Sequence, residues 1–317
     1  MTGPAHSDRP RVIDAHVHII PETALGSRSE PLGTEQSAYG FRTTHDGAFY
    51  AVPPFVHDSQ FTADTLVKMM DVYGVDFAVI QQTPLWPLNE EVARAVEAYP
   101  DRLAGAMLLD PADGWQDEME YWYARGLRSV KFEMRSVTCG LMHPDLRYDS
   151  PVMTEMFAKA GAMGMTVTID PAPADFPIYT PETLRRAVEA WPGTRFVICH
   201  LGFPVPIGTA ELRAKWEAMA GIAALPNCWL DVSAMPDFFD EEGWPFPTAL
   251  ELLCEVKRTV GAEKLIWGSD IPGTLNRATY PQMAEMFRRA GLTADELEGL
   301  FYANASAAYG LTFEEIS

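Results

Sequence analysis

The sequence predicts a single (β/α)8 barrel over residues 1–317, in which eight parallel strands alternate with helices. Short apolar runs alternate along the chain with longer amphipathic stretches, which is typical of βα units around a parallel sheet. There are eight such runs, the number that a closed barrel of this kind requires. The chain is long for one average domain, but α/β barrels routinely reach this length. We therefore expect one domain.

The strands are expected in a regular order along the chain. They are residues 11–18, 76–82, 102–109, 128–134, 165–170, 195–200, 227–233 and 264–270. Helices fill the intervals, and the clearest covers 62–73, whose apolar residues form one stripe at helical spacing. That stripe consists of Leu66, Met69, Met70 and Tyr73. Other helix starts are marked by Ser150 and Thr180, each before a proline, and by Thr293, three residues before Glu296.

Two connections are longer than the usual loop between a strand and a helix. Residues 19–60 follow the first strand and are rich in glycine, proline and aromatic residues, and residues 234–248 follow the seventh strand. Loops after barrel strands lie at the C-terminal face, where the active sites of such barrels are found. Both are therefore candidate lids, with irregular surface packing as the alternative.

The composition argues against several classes of partner. A net charge of −20 does not suit nucleic acid or an anionic membrane, since both bind clustered Lys and Arg. The four cysteines are far apart and form no CxxC pair, so we expect reduced thiols. The first residues lack the apolar core of a signal peptide, and no run approaches the ~20 apolar residues of a membrane span. We expect a cytoplasmic protein that acts on a small molecule.

The first predicted strand carries two histidines, His16 and His18. Alternate residues of a strand point the same way, so both imidazoles are expected to face one side and to reach one metal ion. Buried histidines without partners are costly, which favours a metal-binding or catalytic role over satisfied core histidines. We expect Asp14, on the same strand, to support this pair rather than to bind the metal.

Three other strands end in an ionisable residue close to a proline or glycine. These residues are Asp170, His200 and Asp270. A polar residue at the end of a hydrophobic barrel strand belongs to the mouth of the barrel. One such residue would be weak support for a site, but three of them together with the histidine pair predict one site at this face.

Strand four and two loops supply candidate substrate contacts. Lys131 and Glu133 alternate with apolar residues that should face the helices, so both should point into the barrel. Three roles stay open for Lys131: a carbamylated bridge between metals, a substrate-binding cation, or the ion-pair partner of an inward acid. Arg135 follows the same strand and could bind a substrate carboxylate, with surface ion pairing as the alternative. Trp86 follows strand two and could contact a flat substrate or simply pack locally.

Motifs in a fixed order along nearly the whole chain resemble the amidohydrolase superfamily. The branch is the amidohydrolase-related one that includes the aminocarboxymuconate-semialdehyde decarboxylase-like enzymes. The matching pieces are Ile13-Asp-Ala-His-Val-His18, Met70-Asp-Val-Tyr-Gly-Val-Asp76, Tyr99-Pro-Asp-Arg102, Phe196-Val-Ile-Cys-His-Leu-Gly202, Trp267-Gly-Ser-Asp-Ile-Pro272 and Asn304-Ala. Each piece is modestly specific alone, whereas the ordered set is highly specific.

The resemblance implies a TIM barrel that holds a divalent metal, usually zinc or manganese. Its ligands would be His16, His18, the strand-five residue and Asp270, with His200 as a catalytic or ligating histidine. The strand-five residue is Asp170, where typical members have histidine. A carboxylate there would favour harder ions such as manganese. A site without metal, as in some lactone-hydrolysing relatives, is the alternative. The resemblance also implies a homodimer.

The expected reaction is attack of water on the carbonyl of an amide or lactone. Asp270 would take the proton from water, and His200 would polarise the carbonyl or act as an acid or base. The alternative is non-oxidative decarboxylation of an aromatic or enoic acid. The short connection from Asp170 to His200 favours hydrolysis, because decarboxylase-like relatives tend to have a longer insertion there. A non-catalytic binding protein is the third hypothesis.

Overall fold

The computed structural model describes residues 9–21, 28–29, 34–44, 47–82, 88–134 and 143–313. Within these ranges the strands, in chain order, are β1 (Ile13–Val17), β2 (Arg28–Ser29), β3 (Thr34–Gln36), β4 (Phe41–Thr44), β5 (Gly47–Tyr50), β6 (Phe77–Ile80), β7 (Leu103–Leu108), β8 (Ser129–Glu133), β9 (Thr166–Asp170), β10 (Arg195–Ile198), β11 (Cys228–Asp231) and β12 (Leu265–Ile266). All eight predicted barrel strands are present. Most are shorter than predicted because their last residues leave the sheet to form the barrel mouth.

The barrel consists of eight parallel strands in the order β1-β6-β7-β8-β9-β10-β11-β12. A parallel bridge between Val17 and Ile271 joins the two ends of this sheet. The backbone N–H of His18 donates to the carbonyl of Ile271 (2.7 Å), and that of Asp270 donates to the carbonyl of His16 (2.8 Å). The predicted (β/α)8 barrel is thus confirmed, and its seam runs through the residues of the predicted site.

Helices surround the barrel. They are α1 (Ala63–Tyr73), α2 (Asn89–Ala98), α3 (Trp115–Ala124), α4 (Pro151–Ala162), α5 (Pro181–Ala190), α6 (Ala210–Ala220), α7 (Met235–Phe238), α8 (Pro247–Val260), α9 (Tyr280–Arg288), α10 (Ala294–Glu298) and α11 (Asn304–Tyr309). The predicted starts of α4 and α5 at their prolines are confirmed, as is the capping box of Thr293 and Glu296. In α1 the buried residues are Leu66, Val67 and Met70, whereas Met69 is only partly buried and Tyr73 is half exposed, because the buried face ends at Met70.

Alternating side chains of each barrel strand divide the core in two. Apolar residues on the outer face pack against helices, as Phe132 of β8 does against Phe157 of α4 (ring centroids 5.6 Å apart). Helix α11 lies beneath the barrel, where Thr166 Oγ1 at the start of β9 donates to the carbonyl of Ala308 (2.8 Å). Its last residue, Tyr309, reaches into the interior and accepts a hydrogen bond from Gln81 (2.9 Å). The barrel is therefore a packed core, not a pore.

The two long connections contain more regular structure than the sequence predicted. Strands β2 to β5, within residues 19–60, form a four-stranded antiparallel sheet. Residues 234–248 contain α7 and a short 3-10 helix at Asp240–Glu242. Both segments contact the loop after β12: Asn276 donates to the carbonyl of Tyr50 (3.0 Å), and Arg277 pairs with Asp240 (3.1 Å). Their role as lids stays a prediction.

None of the helices in the described part of the chain combines the length and apolar character needed to span a lipid bilayer.

Candidate active site

The ends of β1 and β12 bring three predicted ligands together. His18 Nε2 lies 2.8 Å from Asp270 Oδ1, and His16 Nε2 lies 3.7 Å from the same oxygen. One ligand atom from each of the three side chains lies within 4.8 Å of the others. His16 is fully buried, whereas His18 and Asp270 are 16% and 18% exposed. The trio thus lies between the packed core and the open mouth.

A buried carboxylate, Asp231 at the end of β11, orients His16. Its Oδ2 lies 2.9 Å from His16 Nδ1, and both side chains are inaccessible to solvent. Burial lowers the pKa of His16 to about 4, although Asp231 opposes the shift. The imidazole is therefore neutral near pH 7. With Nδ1–H donated to Asp231, the Nε2 lone pair faces Asp270 and His18.

His200, which follows β10, belongs to the same hydrogen-bonded cluster. Its Nδ1 lies 2.8 Å from Ser233 Oγ, and its backbone N–H donates to Asp231 Oδ1 (2.9 Å). Its Nε2 lies 3.6 Å from Asp170 Oδ2. Burial opposes the charged ring, but the carboxylates of Asp170, Asp270 and Asp231 outweigh burial and raise the pKa of His200 to about 9. The imidazolium is thus the favoured form near pH 7.

Asp170 lies beside His200 rather than in the trio. Among the described residues, two groups of potential metal ligands have atoms within 4.8 Å of one another: the trio, and His16 with Cys199 and His200. Asp170 belongs to neither group. Its Oδ1 accepts a hydrogen bond from the backbone N–H of Ala172, two residues later in the chain (3.2 Å). A ligand role for Asp170 stays a prediction.

Two site residues have strained backbones. His200 and Asp270 adopt φ angles of 57° and 60°, in the left-handed region that non-glycine residues rarely occupy. This conformation costs roughly 1–2 kcal/mol per residue. Each residue follows the end of a barrel strand, Ile198 of β10 and Ile266 of β12, so both strained positions lie at the barrel mouth. Strain of this kind is concentrated at functional sites.

The Asp270 carboxylate is kept ionised. Burial alone would raise its pKa, but the hydrogen bond from His18 and the nearby His16 and His200 hold the pKa well below its ordinary value of 3.8. Asp270 is therefore an ionised carboxylate at neutral pH, the form that binds a cation.

Lys131 and Glu133 point into the barrel, as the alternation in β8 predicted. The Lys131 Nζ lies 3.9 Å from Glu133 Oε2, and the lysine side chain is 2% exposed. Glu133 is in register with Asp170 on β9, so the two carboxylates lie on neighbouring strands at one level. Burial opposes the charge of Lys131, but these acids outweigh burial and raise its pKa. The lysine is a buried cation below the trio.

The other predicted substrate contacts, Trp86 and Arg135, lie outside the described residues. A cation that the sequence analysis missed is Arg42 in β4. Its side chain is buried, its Nε donates to Gln36 (3.0 Å), and its guanidinium is coupled electrostatically to Glu133. Nothing in the polar segment around Arg42 distinguishes it from a surface arginine, so the sequence carried no signal for it.

Two phenylalanines flank His200. The rings of Phe203, after β10, and Phe238, in α7, have centroids 6.2 Å and 6.1 Å from the imidazole and 4.7 Å from each other. Trp244, in the same connection as Phe238, instead donates to the carbonyl of Gln282 (3.3 Å), and the Arg289 guanidinium lies 4.4 Å from the centroid of its ring. Among the described residues, these two phenylalanines therefore form an aromatic wall next to His200.

A divalent cation fits the trio. Two imidazoles and one carboxylate are a common donor set for zinc, manganese and iron. Among the described residues, no hydrogen-bond partner reaches His16 Nε2, although the atom is buried. A buried nitrogen with a free lone pair is costly unless something binds it. The Asp231–His16 pair also matches the carboxylate–histidine arrangement that commonly supports metal ligands.

The family model described as Amidohydrolase matches residues 13–311. The chain belongs to this amidohydrolase family. The resemblance drawn from the sequence motifs is therefore confirmed. A search of the curated proteins found no match.

Solved structures share the fold of this amidohydrolase. A probable 2-pyrone-4,6-dicarboxylic acid hydrolase from Acinetobacter baumannii, with citric acid bound, is 18% identical with a TM-score of 0.70; the match covers 95% of this chain and 100% of that one. An amidohydrolase from Burkholderia multivorans with bound zinc is 17% identical, with a TM-score of 0.70 and the same coverage. The 5-carboxyvanillate decarboxylase from Sphingomonas paucimobilis is 16% identical, with a TM-score of 0.61, over 96% of this chain and 100% of that one.

Two polar residues of this amidohydrolase site, Asp231 and Ser233, were also missed. Asp231 ends an apolar strand just as Asp170 and Asp270 do, so the same rule could have found it. It lacks the proline or glycine within two residues that drew attention to the others. Ser233 carries no signal of its own, since an isolated serine after a strand is common.

Proposed function

We propose that this amidohydrolase is a metal-dependent hydrolase that adds water to the carbonyl of a small, flat, anionic lactone or amide. The observation that carries the proposal is the trio: an ionised Asp270 carboxylate 2.8 Å from His18 and 3.7 Å from a buried, neutral His16. A carboxylate at this position can accept the proton of an attacking water. The neighbouring imidazolium of His200 can stabilise the oxyanion that forms.

The roles of the residues follow from their protonation states. Asp270 takes a proton from water while the water oxygen bonds to the carbonyl carbon. His200, which holds a proton near pH 7, donates to the carbonyl oxygen as negative charge develops there. Collapse of the tetrahedral intermediate expels the alkoxide or amine, and the proton on Asp270 passes to that leaving group. Atoms and charge balance without any further reactant.

His16, His18 and Asp270 are the proposed metal ligands, with zinc or manganese as the proposed ion. When bound, a divalent cation supplies a Lewis acid that polarises a carbonyl and lowers the pKa of water. A zinc ion in the Burkholderia multivorans structure supports this choice for the fold. Asp170 is proposed to act through His200, which it approaches at 3.6 Å, or as a further ligand after a shift of its side chain.

The substrate class follows from the walls of the mouth. Phe203 and Phe238 provide flat apolar surface next to His200. Arg42 and Lys131 are buried cations on the side of Glu133, and each can bind a substrate carboxylate. Arg135 and Trp86 remain proposed contacts from the sequence. The dicarboxylate substrate in the name of the Acinetobacter baumannii neighbour has this chemistry.

Decarboxylation is the second candidate. The observation that favours it is the same His200 imidazolium, because a proton donor beside a flat ring is also what protonation of a ring carbon requires. The Sphingomonas paucimobilis decarboxylase shows that the fold supports this reaction.

Product analysis separates the two reactions. Purified enzyme, loaded with zinc or manganese, is incubated with 2-pyrone-4,6-dicarboxylate, simple aromatic lactones and anilides, 5-carboxyvanillate and 2,6-dihydroxybenzoate. We expect products that have gained one water, no carbon dioxide release, and a rate loss of roughly 100-fold or more in Asp270→Asn. Asp101→Asn, an exposed carboxylate just before β7 at the opposite end of the barrel, is the matched control and should retain full activity.

Release of carbon dioxide from the aromatic acids, with no hydrolysis, would reverse the assignment. Hydrolysis that persists in Asp270→Asn would remove Asp270 from its proposed role.

Two further proposals concern the location of the protein and its oligomeric state. We propose a cytoplasmic enzyme, since Cys199 and Cys228 are buried free thiols, and a homodimer, as the family resemblance implies.

A further inference from the structure

Asp231 and Ser233 join the two buried histidines of the site into one hydrogen-bonded chain. His16 Nδ1 contacts Asp231 Oδ2 (2.9 Å), Ser233 Oγ contacts Asp231 Oδ1, and His200 Nδ1 contacts Ser233 Oγ (2.8 Å). All four side chains are at least nine-tenths buried. We propose that this pair fixes a proton on Nδ1 of both rings, so that His16 and His200 each present Nε2 to the reaction site. Ser233 is then a positioning residue for His200.

The protons on Asp231 can be assigned from its neighbours. Oδ1 receives the backbone N–H groups of His200 (2.9 Å) and Ser233 (3.2 Å), which can only donate. Oδ1 therefore acts as an acceptor and carries no proton. Oδ2 contacts His16 Nδ1, and a carboxyl group (ordinary pKa about 3.9) is much more acidic than an imidazolium (about 6.5), so the proton between them lies on the nitrogen. The hydroxyl of Ser233 must then donate its single hydrogen to Asp231.

This donation fixes the proton on His200. Because Ser233 has already given its hydrogen to Asp231, its oxygen can only accept from the imidazole. Asp170 competes for a proton on the other nitrogen, but its oxygen lies 3.6 Å from Nε2, beyond normal hydrogen-bond length. The 2.8 Å contact with Ser233 therefore decides which nitrogen keeps a proton in the neutral ring. Nε2 is left as the nitrogen that exchanges a proton with substrate.

The same logic applies to His16. Its Nδ1–H points to Asp231, and its Nε2 is the buried atom that no hydrogen bond reaches among the described residues. Water cannot easily replace these contacts, because Asp231 is inaccessible to solvent and Ser233 is 1% exposed. One carboxylate thus sets both the metal-facing atom of His16 and the substrate-facing atom of His200. The consequence for catalysis rests on the proposed function, but the proton positions do not.

Nitrogen-15 NMR of histidine-labelled protein tests the inference without substrate or turnover. The chain has seven histidines, and His16→Gln and His200→Gln assign the two rings. We expect Nδ1 of both rings to carry a proton, in metal-free and in zinc-loaded protein, throughout the pH range in which the protein is folded. In Ser233→Ala, at a pH high enough for the His200 ring to be neutral, its single proton should move to Nε2, toward Asp170, while His16 keeps its pattern. In Asp231→Asn, both rings should change.

Ser129→Ala is the matched control, because Ser129 is also a buried strand serine and it contacts the carbonyl of Gly105 instead of a histidine. It should leave both rings unchanged. A wild-type Nδ1 without a proton on either ring would overturn the inference, and this measurement needs no variant to fold. An unchanged spectrum of the neutral His200 ring in Ser233→Ala would overturn the role of Ser233. Either result can be obtained whether or not the enzyme proves to be a hydrolase.

Discussion

The protonation of single buried residues decides what this site can do. His16 and His200 lie with their ring centroids 4.7 Å apart, yet burial lowers the pKa of the first and nearby carboxylates raise that of the second. The first is suited to bind a cation, and the second is suited to donate a proton. Two chemically identical side chains thus take different roles through their surroundings.

A buried thiol outside the site gives a pH-dependent test at the same scale. Burial raises the pKa of Cys228 from 9.0 to about 12. Below pH 9 the thiol is protonated in both the folded and the unfolded chain and contributes no pH dependence. Between pH 9 and 12 the unfolded chain loses this proton while the folded chain keeps it, so stability falls as pH rises.

Cys228→Ala removes this slope. We expect the difference in the free energy of unfolding between wild type and variant to shift by ~2 kcal/mol, against the wild type, from pH 8 to pH 10.5. Denaturant titrations at the two pH values measure the difference. Cys254→Ala, which removes a partly exposed thiol, is the control for the loss of a cysteine side chain. A difference for Cys228→Ala that stays constant with pH would contradict the assigned environment.

At the scale of elements, the residues that follow the strand ends form the site, whereas the residues within the strands form the core. Backbone hydrogen bonds across the seam between β1 and β12 align the trio. Gly268, in the segment after β12, packs against the backbone and Cβ of His16. A Cβ atom added to Gly268 would lie 2.6 Å from the Cβ of His16 and 3.1 Å from that of Ser233. No flexible side chain is available there to move aside. The strand end therefore requires glycine because two backbones approach closely.

Gly268→Ala should displace His16 and weaken the metal site. We expect a destabilisation of about 1–3 kcal/mol and a zinc affinity at least roughly 10-fold lower, as for changes in the support of a metal ligand. Thermal unfolding and competition with a chromophoric chelator measure the two effects. Gly193→Ala, where a Cβ meets nothing within 4 Å, is the control and should change neither. Wild-type zinc affinity in Gly268→Ala would refute the close approach.

Elements marked by a clear hydrophobic pattern or by helix-capping residues could be predicted from the sequence, whereas elements without such signals could not. The eight barrel strands are apolar runs, and the starts of α4, α5 and α10 have cap residues. The sheet of β2 to β5 was missed because its strands have two to four residues, too few for alternation to be visible. In the site, strand-end residues such as Asp270 were found by position. Ser233 and Arg42 were not, because their role depends on contacts between distant segments.

The net charge of the whole chain determines the electrostatic potential around the site. A net charge of −20 attracts cations and opposes the approach of an anionic substrate. The buried cations Arg42 and Lys131 offset this repulsion locally, so binding of an anion would depend on them. The same acidity favours loading of the trio with a divalent ion. Closure of the barrel at the seam between β1 and β12 holds His16, His18 and Asp270 together.

The dependence of hydrolysis on metal tests the central claim most directly. Enzyme stripped with a chelator, and shown by elemental analysis to hold no metal, is titrated with zinc or manganese while hydrolysis of a lactone found in the product analysis is followed. We expect the stripped enzyme to be inactive and activity to rise until one equivalent per chain is bound, with His18→Ala showing no recovery. Full hydrolytic activity in the stripped enzyme would contradict the account.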